Sequence, residues 1–142
     1  MYKTILLPID ITEKTLTNKA ITHTINLAKL SNSKIHLIYV LPISLAITNT
    51  YTFGYSEIKD FTTKEAKKNI KKIIESINFP HNNISYTISF GIPRDEIINT
   101  AKNINADIII IGSRHPNITT HLLGSTAASI VRYAKTSVLI IR

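Results

Sequence analysis

The chain has 142 residues, 44% of them hydrophobic and 18% charged, with no cysteine and a formal net charge of +8. That length suits one domain over residues 1–142 with a sizeable core, and the composition is that of an ordinary globular protein. Disulfides, zinc–thiolate sites and thiol catalysis are excluded. No apolar run reaches membrane-span length and residues 1–8 lack a signal-like apolar region, so the cytoplasm is the expected compartment and no membrane is expected as a partner.

Apolar runs alternate with helical periodicity along the whole chain. Residues 5–9 read as a first strand that ends at Pro8, Ile9 and Asp10. A helix follows from about Glu13, with Leu16, Ala20, Ile21, Ile25 and Ala28 on one face and Thr12 as its expected N-cap. Residues 35–41 form a second strand, stopped by Pro42. The polar segment 42–56, with Tyr51, Phe53 and Tyr55, is long for a connection and reads as a surface loop, a flap or an oligomer contact. A helix over 57–77 carries Lys59, Lys64, Lys67, Lys68, Lys71 and Lys72 interleaved with Glu57, Asp60, Glu65 and Glu75. That pattern is a solvated face. Because the remaining basic residues are scattered, nucleic acid is not the expected partner.

Residues 84–90 alternate cleanly, Ile84, Tyr86, Ile88 and Phe90 against Ser85, Thr87 and Ser89. One polar face suits an edge strand. Gly91-Ile92-Pro93 turns the chain into a third helix with Ile97, Ala101 and Ile104 on one face. The run Ile108-Ile109-Ile110-Ile111 is a strand apolar on both faces, as interior parallel strands are. A fourth helix starts near Ser125, its expected N-cap, and is expected to bury Ala127, Ile130, Val131 and Ala134. Residues 138–141 form a last, apolar strand. The alternation predicts an α/β fold, an open and mostly parallel five-stranded sheet with helices on both faces. With the alternating strand at one edge the order is 3-2-1-4-5, which puts the topological switch between strands one and four. The rival order 2-1-3-4-5 would move it to Gly91-Ile92-Pro93, which carries no anion signal.

Two of the four glycines, Gly112 and Gly124, bracket the loop between strand four and the last helix. A strand, a loop and a helix N-terminus together present free amides and the positive end of a helix dipole, which suits phosphate. Gly124 permits close backbone approach, Ser125 and Thr126 add hydroxyls, and Arg114 adds charge-assisted donors. Each also has a plainer role: Asp10 in a turn, Gly112 in a strand exit, Arg114 in solvent. His115 and His121 are six apart in or beside the loop, facing phosphate or solvent, and a metal pair there has no acidic partner nearby in sequence. His23, His36 and His81 read as structural or surface residues. Walker A, nucleophile-elbow and kinase motifs are all missing from the sequence. The apolar last strand, if left as a bare edge, calls for a partner, and pairing with its own copy through 138–142 would give a homodimer.

Over its full length the chain resembles the universal stress protein family. The match rests on residues 2–10, on Ala106-Asp107-Ile108, on 112–125 and on the ending 136–142. The loop resembles the bacterial F and G subgroup. Against the family's G-x2-G-x9-G-[ST] signature, His115 replaces the middle glycine and eight residues precede Gly124. The resemblance implies a Rossmann-like, adenine-nucleotide alpha-hydrolase-like fold and a dimeric stress-response module that binds ATP, with or without Mg²⁺. It implies that Asp10 and the backbone around Val40 line an adenosine pocket with Pro8 and Ile9. Ile111 and Gly112 would run along the ribose and α-phosphate, and Arg114, Gly124, Ser125 and Thr126 would hold phosphates, with His115 beside them. A slow ATPase or autophosphorylating enzyme, and a nucleotide-free interaction module, are the alternatives.

Overall fold

A computed structural model describes residues 1–41, 55–113 and 123–142, the side chains of 55 and 56 excepted. Among them run β1 (Thr4–Pro8), α1 (Lys14–Ser31), β2 (Lys34–Leu41), α2 (Tyr55–Ser76), a 3-10 turn (His81–Asn83), β3 (Ile84–Phe90), α3 (Pro93–Asn103), β4 (Ile108–Gly112), α4 (Ser125–Tyr133) and β5 (Ser137–Ile141). The sheet is wholly parallel, in the order β3-β2-β1-β4-β5. The expected order is the observed one, and the alternating strand does sit at an edge.

The central strands dictate this arrangement. In β1, Ile5 and Leu7 enter one core while Leu6 enters the other; in β4, Ile108 and Ile110 divide the same way from Ile109 and Ile111. Strands apolar on both faces need cover on both faces. Ala20, Ile21 and Ala28 of α1 close the first core, with Ile73 and Ile74 of α2 packed against it. Ile97 and Ala101 of α3 and Ala127 and Ile130 of α4 close the second. Ile109 and Ile110 are fully buried, so truncating either to alanine would cost about 2–5 kcal/mol.

The strand entries are tied together at the backbone. Lys34 N donates to Lys3 O and Asp107 N to Thr4 O, at 2.8 and 2.9 Å. The Asp107 carboxylate in turn accepts from the amides of Lys3 and Thr4 at 2.7 and 2.9 Å. Those two bonds, the Thr4 amide foremost, hold its carboxyl below the usual carboxylate range. Helix α1 ends at Asn32, which takes the left-handed conformation with φ of 50° and donates its N–H to Ala28 O. Helix α3 opens on Pro93, with Asp95 and Glu96 in its first turn facing the positive end of the dipole.

Three expectations differ from the structure. The N-cap of α1 is Glu13 and no side chain caps the helix, because the Thr12 hydroxyl donates to Asp10 instead. The N-cap of α4 is Gly124, one residue before Ser125. Val131 is 49% exposed rather than buried. Helix α4 is short and meets the sheet along the stripe of Ala127 and Ile130, leaving Val131 turned to its outer side.

His36 is a buried polar residue within β2, 9% exposed. Its Nδ1 meets Ser85 Oγ and its Nε2 meets Thr87 Oγ1, each at 2.7 Å, so the ring bridges to the polar face of β3. Burial holds its pKa below the ordinary histidine value of 6.5. A histidine with a lowered native pKa favours folding while neutral. That contribution is complete above the unfolded pKa and is lost as pH falls from there toward the native pKa, because the unfolded chain takes up the proton first. Urea denaturation from about pH 7.5 down to about 5.5 will therefore show falling stability, and His36→Gln will flatten that slope.

Gly112 closes β4 directly beneath α1. A Cβ there would stand 2.7 Å from Leu16 Cγ and 2.9 Å from its Cδ2. Gly112→Ala will destabilise the fold by about 1–3 kcal/mol, since the clash falls on a branch point and not on a flexible tip. Adding Leu16→Ala will recover part of that loss, which a double-mutant cycle by thermal denaturation will read.

Candidate functional site

Strands β1 and β4 are neighbours, but their following helices leave on opposite faces: α1 covers the first core and α4 the second. The divergence opens a cleft of about 400 Å³ beyond the carboxyl ends of the strands. Pro8, Ile9 and Asp10 come from the end of β1, Val40 from β2, Ile111 and Gly112 from β4, and Thr126 from the first turn of α4. Seven of the expected site residues thus share one cleft.

Gly124 and Ser125 stand immediately before Thr126 at the start of α4, outside the cleft lining. Arg114 and His115 lie outside the described residues, as do His121 and most of the segment 42–56. Among the described residues no group of three or more His, Cys, Asp or Glu could hold a metal ion.

Asp10 is held by its own turn. Its Oδ1 accepts from Thr12 N at 2.9 Å and from Thr12 Oγ1 at 2.5 Å, and its carbonyl accepts from Thr17 Oγ1 at 2.7 Å. Glu13 N also donates to the Asp10 carbonyl, at 3.3 Å. This Asx-type turn lets the chain leave β1 and enter α1 while the carboxylate stays at the cleft wall. Asp10 thus keeps the turn position read from the sequence and also lines the cleft. Ile9 N donates to Ile38 O at 2.8 Å, which extends the β1–β2 ladder past Pro8 and fixes where Asp10 begins.

The opposite wall is the start of α4. Gly124 has no side chain to offer as a cap, and among the described residues no side-chain cap hydrogen bond is made at the start of α4. Helix amides left open in this way are donors for an anion. Across the cleft, Tyr39 is half-buried; burial first, and the charge of Asp10 second, push its phenol pKa up.

Several residues that line the cleft are not among those expected from the sequence. Tyr39 was hidden because strand alternation gave it no distinction from its neighbours. Leu16 and Thr17 belong to α1, whose apolar stripe reads as core, and Thr12 stands in the turn before it, where it reads as a cap. Pro93 and Ile97 of α3 also reach the cleft, which required knowing where α3 crosses β2. The polar pair Thr12 and Thr17 beside Asp10 was the available signal. The cleft can thus take a ligand with an apolar body between Val40, Ile97 and Ile111 and a negative end at the α4 amides.

Comparison with known proteins agrees with this architecture. Universal stress protein G of Escherichia coli O157:H7 is 36% identical over 143 residues, covering 100% of both chains. Among solved structures, the universal stress protein UspA from Lactobacillus plantarum has a TM-score of 0.79 at 26% identity, covering 99% of this chain and 98% of its own. A universal stress protein in complex with cAMP has a TM-score of 0.65 at 21% identity, over 99% and 97% of the two chains. One from Archaeoglobus fulgidus in complex with dAMP has 0.67 at 19%, over 99% and 98%. At those last identities the likeness is one of fold. A model of the universal stress protein family matches residues 1–142, and with it the chain belongs to the universal stress protein family.

Proposed function

We propose that the cleft between the ends of β1 and β4 binds an adenine nucleotide, ATP in the first instance, without catalysing a reaction on it. The observation that carries this reading is the uncapped start of α4 facing the apolar walls of the cleft, with the Asp10 carboxylate on the β1 side. In this reading Asp10 and the Val40 backbone hold the nucleoside, with Pro8 and Ile9 behind them. Ile111 and Gly112 follow the ribose. Thr126 and the amides after Gly124 hold phosphates, with Ser125, Arg114 and His115 completing the phosphate end. Relatives of the same fold in complex with cAMP and dAMP support an adenine nucleotide as the ligand class. The chain then acts as a stress-response sensor in the cytoplasm, its nucleotide state altering what its surface presents.

Titration calorimetry with ATP, ADP, AMP and cAMP, each with and without Mg²⁺, tests the ligand. Saturable ATP binding is expected. Gly124→Glu should abolish it by placing a negative charge at the amide cradle, and Asp10→Ala should weaken it at least about tenfold, or 1.4 kcal/mol. Binding of no nucleotide, or equal binding by Gly124→Glu, overturns the reading.

We propose further that β5 pairs with its own copy to make a homodimer through 138–142. It is an edge strand, and Leu139 is 39% exposed on it. An apolar parallel edge left unpaired invites association. Sedimentation equilibrium should give a dimer for the native chain and a monomer for Leu139→Lys, whose charge at the edge opposes pairing. A native chain that sediments as a monomer removes the dimer.

A further inference from the structure

A second cavity, of about 430 Å³, lies on the α3–α4 side of the molecule. Arg94, Ala128, Ser129, Arg132 and Tyr133 line it, and none of them lines the nucleotide cleft. It serves neither the fold nor the function argued above.

Two guanidinium groups set its chemistry. Arg94, in the first turn of α3, donates from Nε to Asp95 Oδ1 at 2.8 Å. Its Cζ stands 5.7 Å from the centroid of the Tyr133 ring. The two contacts hold the guanidinium from one edge and one face. Among the described residues its terminal nitrogens have no acceptor, and Arg132 has neither a hydrogen bond nor an ion pair. A guanidinium engaged at Nε, with its terminal nitrogens unpartnered among the described residues, can grip two oxygens of one anion.

The charge balance permits this. Arg94 and Arg132 against Asp95 leave the groove with one net positive charge, on a chain of net charge +8. Ala128 and Ser129 line the groove with the arginines, and Ser129 adds a hydroxyl. Two forks and a hydroxyl outnumber the two oxygens of a carboxylate but suit the three terminal oxygens of a phosphate monoester. Tyr133, 56% exposed, offers a ring face beside that group.

We propose that this groove is a second anion site, which takes the phosphate of a phosphate monoester between Arg94 and Arg132 with the ester body against Tyr133. The site is independent of the nucleotide cleft. A free small molecule and a phosphorylated side chain of another protein both present this monoester, and one experiment separates the two.

Amide NMR of the full chain is titrated with inorganic phosphate, phenyl phosphate and a phosphoserine peptide. Phosphate and phenyl phosphate should shift the amides of Ala128, Ser129 and Tyr133 saturably, phenyl phosphate binding several-fold more tightly. Both arginines are on the surface, so Arg94→Gln/Arg132→Gln should fold normally and lose at least tenfold in affinity. Tyr133→Leu should keep inorganic phosphate and lose the phenyl preference. Tighter binding of the peptide assigns the site to a protein partner; tighter binding of phenyl phosphate assigns it to a free monoester. Shifts that survive the double variant, that centre on Asp10, Gly112 and Thr126, or that acetate reproduces at equal concentration overturn the proposal. The Gly124→Glu chain should keep the groove response, so failure of the nucleotide reading and failure of this one are read separately.

Discussion

Burial of β1 and β4 on both faces is the constraint on which the rest of the molecule depends. Leu6, Ile109 and Ile110 have no exposure at all, and their neighbours in each strand point to alternate cores. Fully burying each such side chain contributes about 1.5–3 kcal/mol. The gain is available only if helices lie on both sides of the sheet. Helices that leave adjacent strands toward opposite sides must part, and the cleft is the space where they part. The site is thus a by-product of covering a two-faced apolar sheet.

The details of that cleft are set by a few local conflicts. Thr12 gives its hydroxyl to Asp10 and so leaves α1 without a side-chain cap. The same exchange holds the Asp10 carboxylate at the cleft wall. Gly112 is glycine because Leu16 occupies the space that its Cβ would need. Close packing of α1 on β4 therefore brings α1 to the cleft wall as well. Gly124 lacks a capping side chain, which costs the helix a favourable contact at its start. Each departure from ordinary helix chemistry falls at the same end of the sheet.

The edges of the sheet are managed differently. At β3 the face carrying Ser85 and Thr87 is polar, and His36 ties it back to β2. At β5 residues 138–141 are all apolar, with Leu139 toward solvent. A polar edge tolerates water, whereas an apolar one favours a second chain. The basic character of the molecule is equally uneven. The lysines of α2 lie among acidic residues on the helix surface, while Arg94, paired with Asp95, and Arg132 line one groove.

Periodicity alone carried the α/β class, the strand order and the end of the sheet where a ligand would sit, because two-sided burial and one-sided burial leave different patterns of four or five residues. Asp10, Gly112 and Thr126 were legible as residues at the cleft because turn and helix-start chemistry is local. The tertiary structure decided what depends on distance between elements. Tyr39 and Pro93 join the cleft only because β2 and α3 pass beside it, Val131 is exposed because α4 meets the sheet on a narrow stripe, and Arg94 meets Tyr133 because α3 and α4 pack together. Residues far apart in sequence carry no mark of their future neighbours, since contact between them is created by packing and not by the local preference of either segment.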